Sequence, residues 1–247
     1  MIFHCLMLIA DCFFMRKIGI KNETSLHRDL KYTYAGPGGQ TEVDVDGFVA
    51  DGITATGEYI EVQAKNFGSI KKKALTIASQ GRLRIVYPVI ITKYIEVYNK
   101  KNMLQYRRKS PKKGNPWDIF NALIHAPELP LIPGIAIELA LVDVTERRVR
   151  DGKGTWRRKG VSIHNRQLMT IHESICLGKN ADYLRFIPFK KKELFTSGEL
   201  AEKAGIQTDL ARKTLYVLTK IGMVERVGKQ GNSIIYSRRK AIPRSKS

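Results

Sequence analysis

Cysteine is scarce. Cys5, Cys12 and Cys176 are three in number, scattered, with no C-x-x-C pair among them. That argues against a disulfide framework and against a zinc site, and it fits a reducing cytoplasm, where we place the chain. The five histidines show no paired metal-ligand spacing. GPGG at residues 36–39 lacks the spacing and the lysine of a phosphate loop. Cys176 has no identifiable activating partner, which leaves a cysteine nucleophile without support. A continuous apolar run of membrane length, ~20 residues, is missing too. The N-terminal MIFHCLMLIADCFF is apolar, but it has no basic n-region, is broken by Asp11 and shows no small-residue cleavage site. We read residues 1–14 as an upstream start-codon artefact or a buried strand, and expect no membrane partner. Acidic residues are the last shortage: 23 Asp and Glu stand against 43 Lys and Arg, a formal charge of +20 over 247 residues. Such an excess points to a polyanionic partner, nucleic acid before an anionic membrane.

Several segments carry clear structural signals. Asn22 to Tyr32 reads as a helix capped by Asn22 or Thr24, with Leu26 and Leu30 on one face. Two strands follow, around Thr41–Ala50 and Tyr59–Lys65, joined through Asp51-Gly52 and Gly57. Ser69 to Ser79 is a short amphipathic helix with its lysines outward. Leu83 to Ile91 reads as a buried strand, with Pro88 counting against a central position for part of it. Pro116 to His125 resembles a helix with Trp117, Phe120 and Ile124 inward. Ala136–Val144 is a second apolar run, and RRVRDGKGTWRRKG is a basic hairpin-like segment around Asp151-Gly152. Gln167 to Ile175 fits a strand or a helix equally. Near the C-terminus, FTSGELAEKAG and Thr208–Ile221 are two helices, the second capped by Thr208. Val224–Val227 and Ser233–Ser237 then flank the tip GKQGN.

The most telling stretch is Thr41–Phe67, TEVDVDGFVADGITATGEYIEVQAKNF. Alternation along a strand puts Glu61, Gln63 and Lys65 on one face and Ile60, Val62 and Ala64 on the other, toward a core. An acid, an amide and a lysine beside an opposing aspartate suit a divalent cation next to a phosphate. Asp46 is the favoured aspartate. Asp44 shares its face, and Asp51 in the turn is the weaker rival. An exposed polar face of a hairpin would show the same alternation.

The Asp46…Glu61-x-Gln63-x-Lys65 constellation resembles the PD-(D/E)xK nuclease superfamily, and is closest to its Mrr-like restriction endonucleases, whose second motif often reads QxK. The resemblance implies a metal, Mg (or Mn), held by Glu23, Asp46, Glu61 and Gln63, with Lys65 orienting the attacking water. The helix, tight turn, helix and hairpin near the C-terminus follow the winged helix-turn-helix order. There Gln207, Asp209, Arg212 and Lys213 would enter the major groove, and Tyr216 would meet phosphate. The wing brings Lys229, Gln230 and Asn232, with Arg238, Arg239 and Lys240 behind it. The runs containing Arg107, Arg108 and Lys109, and Arg157, Arg158 and Lys159, lie beside Tyr106 and Trp156, which supply stacking surface. GKGTWRRKG also resembles an uncharacterised bacterial family joining such a core to a winged helix.

The expected fold is therefore α/β: a restriction-endonuclease-like mixed sheet flanked by helices, plus a C-terminal winged helix. The expected divisions are an extension (1–14), a nuclease-like domain (15–115), a basic middle region packing with or extending it (116–190), the winged helix (191–240) and a basic tail (241–247). The expected function is Mg-dependent DNA cleavage. A non-catalytic DNA-binding regulator on a nuclease-like scaffold is the alternative, and an RNA-cleaving or toxin-like nuclease a third. A homodimer is expected by analogy.

Overall fold

The computed structural model describes residues 24–239. The expectations for residues 1–14, Glu23, Lys240 and the basic tail lie outside them. Helix α1 (Ser25–Ala35) begins where Thr24 turns extended and its hydroxyl accepts from the His27 amide. Leu26 and Leu30 are its buried face.

Strands β1 (Gln40–Val45) and β2 (Phe48–Ile53) form an antiparallel hairpin. Its turn is Asp46-Gly47, with φ of +48° and +79°, the pair of left-handed residues that a type I′ turn needs and Asp-Gly supplies. The single strand expected over Thr41–Ala50 is thus two. Two Asp-Gly pairs lie within this stretch: the first makes the turn, and the second, Asp51-Gly52, runs inside β2.

Strand β3 (Tyr59–Val62) pairs antiparallel with β2. A 3-10 turn (Phe67–Ile70) and helix α2 (Lys71–Gln80) then carry the chain to β4 (Leu83–Tyr98), which is parallel to β3. Beyond lie β5 (Leu104–Lys109), helix α3 (Ile119–Leu123), β6 (Ile135–Arg150) and β7 (Val161–Leu177). The sheet order is β1-β2-β3-β4-β6-β7, with β5 on the far part of β4. The expectation of a mixed α/β sheet with flanking helices holds. The undecided segment Gln167–Ile175 lies within strand β7.

The expectation drawn from Pro88 holds for the part of β4 around it, although β4 as a whole is central. The Val86 carbonyl accepts from the Gln63 amide, so even-numbered residues here direct their backbone polar groups toward β3. Pairing with β3 ends at Val86, and pairing with β5 starts only at Tyr94. Pro88 falls between, where β4 has only β6 beside it and no donor is needed on the other side. The sheet is therefore gapped at Pro88.

One face of the sheet packs Ile60, Val62, Val86, Ala140 and Val142 against Leu26 and Leu30 of α1. Asn165 on β7 ties down the start of α1, accepting from the Ser25 amide at 3.0 Å and donating to its hydroxyl at 2.7 Å. The other face packs Leu83, Ile85 and Ile137 against Ala74 and Ile77 of α2 and against Phe120 and Leu123 of α3.

The remaining elements are β8 (Leu194–Phe195), α4 (Ser197–Ala204), α5 (Thr208–Lys220), β9 (Val224–Gln230) and β10 (Ser233–Arg238), with sheet order β8-β10-β9. Thr196 and Glu199 cap α4 reciprocally, and Gly205 ends it in the left-handed region at φ +63°. The cap of α5 is Gln207, not Thr208, which is its first helical residue. Leu200, Leu215 and Leu218 join the same core as Phe120. Among the described residues, no helix is long and apolar enough to cross a membrane.

Candidate functional site

The aspartate that faces Glu61 is Asp51. Gly52 pairs with Ile60 across β2 and β3, so Asp51 comes opposite Glu61 where the two strands part. Its Oδ2 accepts from the Val62 amide at 2.7 Å, replacing the ladder bond lost there. His27 Nε2 on α1 lies 3.1 Å from the same oxygen. Burial would raise the Asp51 carboxyl. The hydrogen bond and charge of His27, the Val62 amide and the charge of Lys73 outweigh it and hold the group below the usual carboxylate range.

Glu61 behaves in the opposite way. It is buried, and burial together with the charge of Asp51 pushes its carboxyl up to about 7 against the opposing pull of Lys73. Lys73 Nζ on α2 stands 2.5 Å from Glu61 Oε2. Lys73 is thereby the charge partner of this buried oxygen, which receives no hydrogen bond from any other described residue. Lys73 thus points inward, contrary to the expected outward lysine face of α2. Two adjacent carboxylates driven apart in acidity are a common mark of a functional site.

Asp46 is not part of this group. It sits in the β1–β2 turn, about five strand residues (~15 Å) from Asp51, and its Oδ2 accepts from Gln80 at 2.7 Å. The expected alignment of Glu61, Gln63 and Lys65 also fails. Strand β3 ends at Val62 and the chain bends at Ala64 and Lys65, both exposed, before Asn66 takes φ +23°. The Gln63 amide therefore turns to the Ser69 hydroxyl at 3.1 Å.

Lys65 instead enters a cleft of about 250 Å³ at the sheet gap, lined by Tyr87, Pro88 and Ile90 with Lys93, Lys112 and Arg166. Behind it lies Glu146, fully buried. Its carboxylate receives Arg166 at 2.8 Å and Arg148 at 2.6 Å, with Lys93 at 3.7 Å. Burial raises Glu146, but these cations bring it below its ordinary value. Burial lowers Lys93, and the charges of Arg166 and Arg148 add to that against Glu146.

The basic residues expected on the surface are distributed as follows. Arg107, Arg108 and Lys109 are exposed on β5, with the Arg107 guanidinium 4.6 Å from the Tyr94 ring centre. Arg157, Arg158 and Lys159 lie in the β6–β7 loop beside Trp156, which is 83% exposed. Gln207, Arg212, Lys229 and Gln230 are exposed, and Arg238 is half-buried. Lys213 is engaged, lying 2.7 Å from Asp209 and donating to Asn121 of α3 at 3.0 Å. The outward stripe of α5 is Arg212, Tyr216 and Lys220.

A family model described as a domain of unknown function (DUF8091) matches residues 24–178. The chain belongs to this family. The DUF8091 span runs from α1 to the end of β7, so it contains the carboxylate pair and the whole lining of the cleft, but not α4 and α5. An uncharacterized protein of Treponema pallidum (strain Nichols) is 26% identical over 215 residues, covering 87% of this chain and 84% of that one. A stretch that long reaches past the DUF8091 span into the C-terminal elements. No solved structure matches the chain.

Sequence reasoning ranks Asp51 only as the weaker rival of Asp46 and assigns no site role to His27 or Lys73. The second Asp-Gly pair carries a turn signal, the histidines show no paired ligand spacing, and the lysines of α2 fit an outward face. Lys93 and Arg166 carried no signal, because it takes the β4–β6–β7 pairing to bring them together.

Proposed function

We propose that this protein binds DNA and hydrolyses its phosphodiester bonds in a metal-dependent reaction. The observation that carries the reading is the Asp51–Glu61 pair at the end of β3, immediately before the chain enters the cationic cleft with Lys65. Among the described residues no group of three or more His, Cys, Asp and Glu side chains gathers to hold a metal. Magnesium nevertheless needs only one or two carboxylates when substrate phosphate and water complete its shell. Asp51 and Glu61 would be the protein ligands of such an ion, with Glu61 Oε2 exchanging its ion pair with Lys73 for the metal. When bound, it would supply a water of lowered pKa and neutralise phosphate charge.

The chain's own residues do the rest. Lys65 meets the phosphate and orients the water, and Lys73 offsets the charge of Glu61. Water oxygen attacks phosphorus and one P–O ester bond breaks, leaving a phosphate monoester and a hydroxyl end. The order of helix, antiparallel meander, helix and parallel strand supports a restriction-endonuclease-like core. Helix, turn, helix and hairpin support a winged helix, in which α5 would present Arg212, Tyr216 and Lys220, and the β9–β10 hairpin Lys229 and Gln230.

One observation favours a second reading, a non-catalytic DNA-binding regulator: Lys73 already neutralises Glu61. Cleavage of supercoiled plasmid with Mg²⁺, Mn²⁺ or EDTA separates the two. Metal-dependent nicking should fall about a hundredfold or more in Asp51→Asn and in Lys65→Ala, and stay within threefold in Asp46→Asn. DNA bound but uncut in every condition would favour the regulator, and undiminished cutting by Asp51→Asn would remove the assigned site.

A further inference from the structure

The gap in the sheet leaves a cleft whose charge is out of balance. Four cations line it: Lys65, Lys93, Lys112 and Arg166. The acid in its lining, Asp118, is committed elsewhere, because its Oδ2 accepts from the Asn115 amide at 2.9 Å and caps the turn before α3. Glu146, buried behind the cleft cations, is shared among Arg148, Arg166 and Lys93, so its single charge offsets only part of theirs. Its effect is to brace Arg166 and Lys93 in place. Positive charge is thus held together by the fold at the mouth of the gap, in excess of what Asp118 and Glu146 offset.

The remaining walls are apolar: Leu26, Tyr87, Pro88, Val89 and Ile90. A volume of about 250 Å³ is below the usual range for a drug-sized ligand and suits a phosphate with its attached sugar. The backbone contributes no donor from Pro88, and the Ile90 carbonyl is taken by the Gly114 amide at 2.6 Å. Recognition therefore falls to the charged side chains, and Arg166 offers a planar fork suited to two phosphate oxygens.

The geometry points to a phosphate-binding subsite in this cleft, in which Lys93, Lys112 and Arg166 hold one sugar-phosphate of a nucleic-acid strand. It rests on the nucleic-acid part of the proposed function and not on catalysis. The source of the phosphate is either the terminal monoester of a strand or an internal diester.

The test is binding of fluorescein-labelled single-stranded dodecamers in EDTA, read by anisotropy across a salt series. Oligonucleotides with a 5′-phosphate, a 3′-phosphate or neither are compared. Lys112→Gln and Arg166→Gln should each weaken binding about five- to tenfold and lower the salt slope by about one. Lys190→Gln with Lys191→Gln, which removes twice the charge of either cleft variant from outside the cleft lining, should change it less than twofold. Lys112→Gln leaves Glu146 and its partners untouched, so it carries the test even where Arg166→Gln unfolds. A loss seen only with one phosphorylated end identifies a terminal phosphate, and an equal loss with all three identifies an internal one. Binding by Lys112→Gln within twofold of the unsubstituted protein, or a loss no greater than that of the control pair, overturns the subsite. Plasmid cleavage is scored separately: cleft variants that bind weakly in a protein that never cuts would leave the subsite standing and remove the nuclease.

Discussion

At the scale of single residues, Glu61 is the most perturbed acid with a defined cause. Its carboxyl lies at about 7 in the folded protein against about 4.3 in an unfolded chain. A raised value means that the folded state binds the proton more tightly. The stability that this provides is complete below the unfolded value and is lost as pH rises toward 7. A neutral glutamine has no such loss. Glu61→Gln should therefore gain on the unsubstituted protein between pH 5 and 8, by at most about 3 kcal/mol, one pKa unit being ~1.4 kcal/mol. Denaturant melts of both across that range check it, and parallel stability curves would count against a buried, titrating Glu61. Asp51 has the opposite sign. Its depressed carboxyl contributes stability above the unfolded value that is lost on acidification, so Asp51→Asn should narrow the acid limb of the stability profile.

At the scale of elements, turns and caps decide where strands and helices start. The β1–β2 turn needs two left-handed residues, and asparagine tolerates that conformation as well as aspartate does. Asp46→Asn should leave stability within about 0.5 kcal/mol, whereas Gly47→Ala should cost about 1–2 kcal/mol. Thermal melts of the two variants distinguish them. Thr196 accepts from the Glu199 amide while Glu199 returns a bond to the Thr196 amide. Thr196→Ala should therefore cost about 1 kcal/mol, measurable as a lower denaturation midpoint with an unchanged slope. These capping signals stand in the sequence itself, which is why FTSGELAEKAG was legible there as a helix. The second Asp-Gly pair was misread because local chemistry gives Asp46-Gly47 and Asp51-Gly52 the same turn signal. Only pairing of β2 with β3 makes the latter a strand.

At the scale of the whole molecule, a single hydrophobic core runs from the α2 and α3 face of the main sheet into α4, α5 and their hairpin. Phe120 lies at this seam, 4.9 Å from Phe186 in an edge-to-face arrangement. The chain should unfold in one cooperative transition, with circular dichroism and calorimetry giving the same midpoint. Phe120→Ala should lower stability by about 3–5 kcal/mol. Two separated transitions in the unsubstituted protein would show that the seam does not couple the parts. The charge of +20 acts at the same scale. DNA affinity should fall steeply with salt, linearly on a double-logarithmic plot, and a flat dependence would argue against phosphate-dominated binding.

The sequence by itself determined what depends on near neighbours along the chain. Helix faces such as Leu26 and Leu30, the caps, the apolar runs that became β4 and β6, and the net charge all follow from local periodicity and composition. Tertiary structure alone decided which acid stands beside Glu61, that Lys73 turns inward, and that Lys65, Lys93, Lys112 and Arg166 share one cleft. Those juxtapositions join residues that lie on different elements of the chain, and they depend on strand register and on where pairing stops. A single strand's alternation can say which side a residue faces. It cannot say that β3 ends at Val62, leaving β4 a gap at Pro88, because that end is set by the strand beside it.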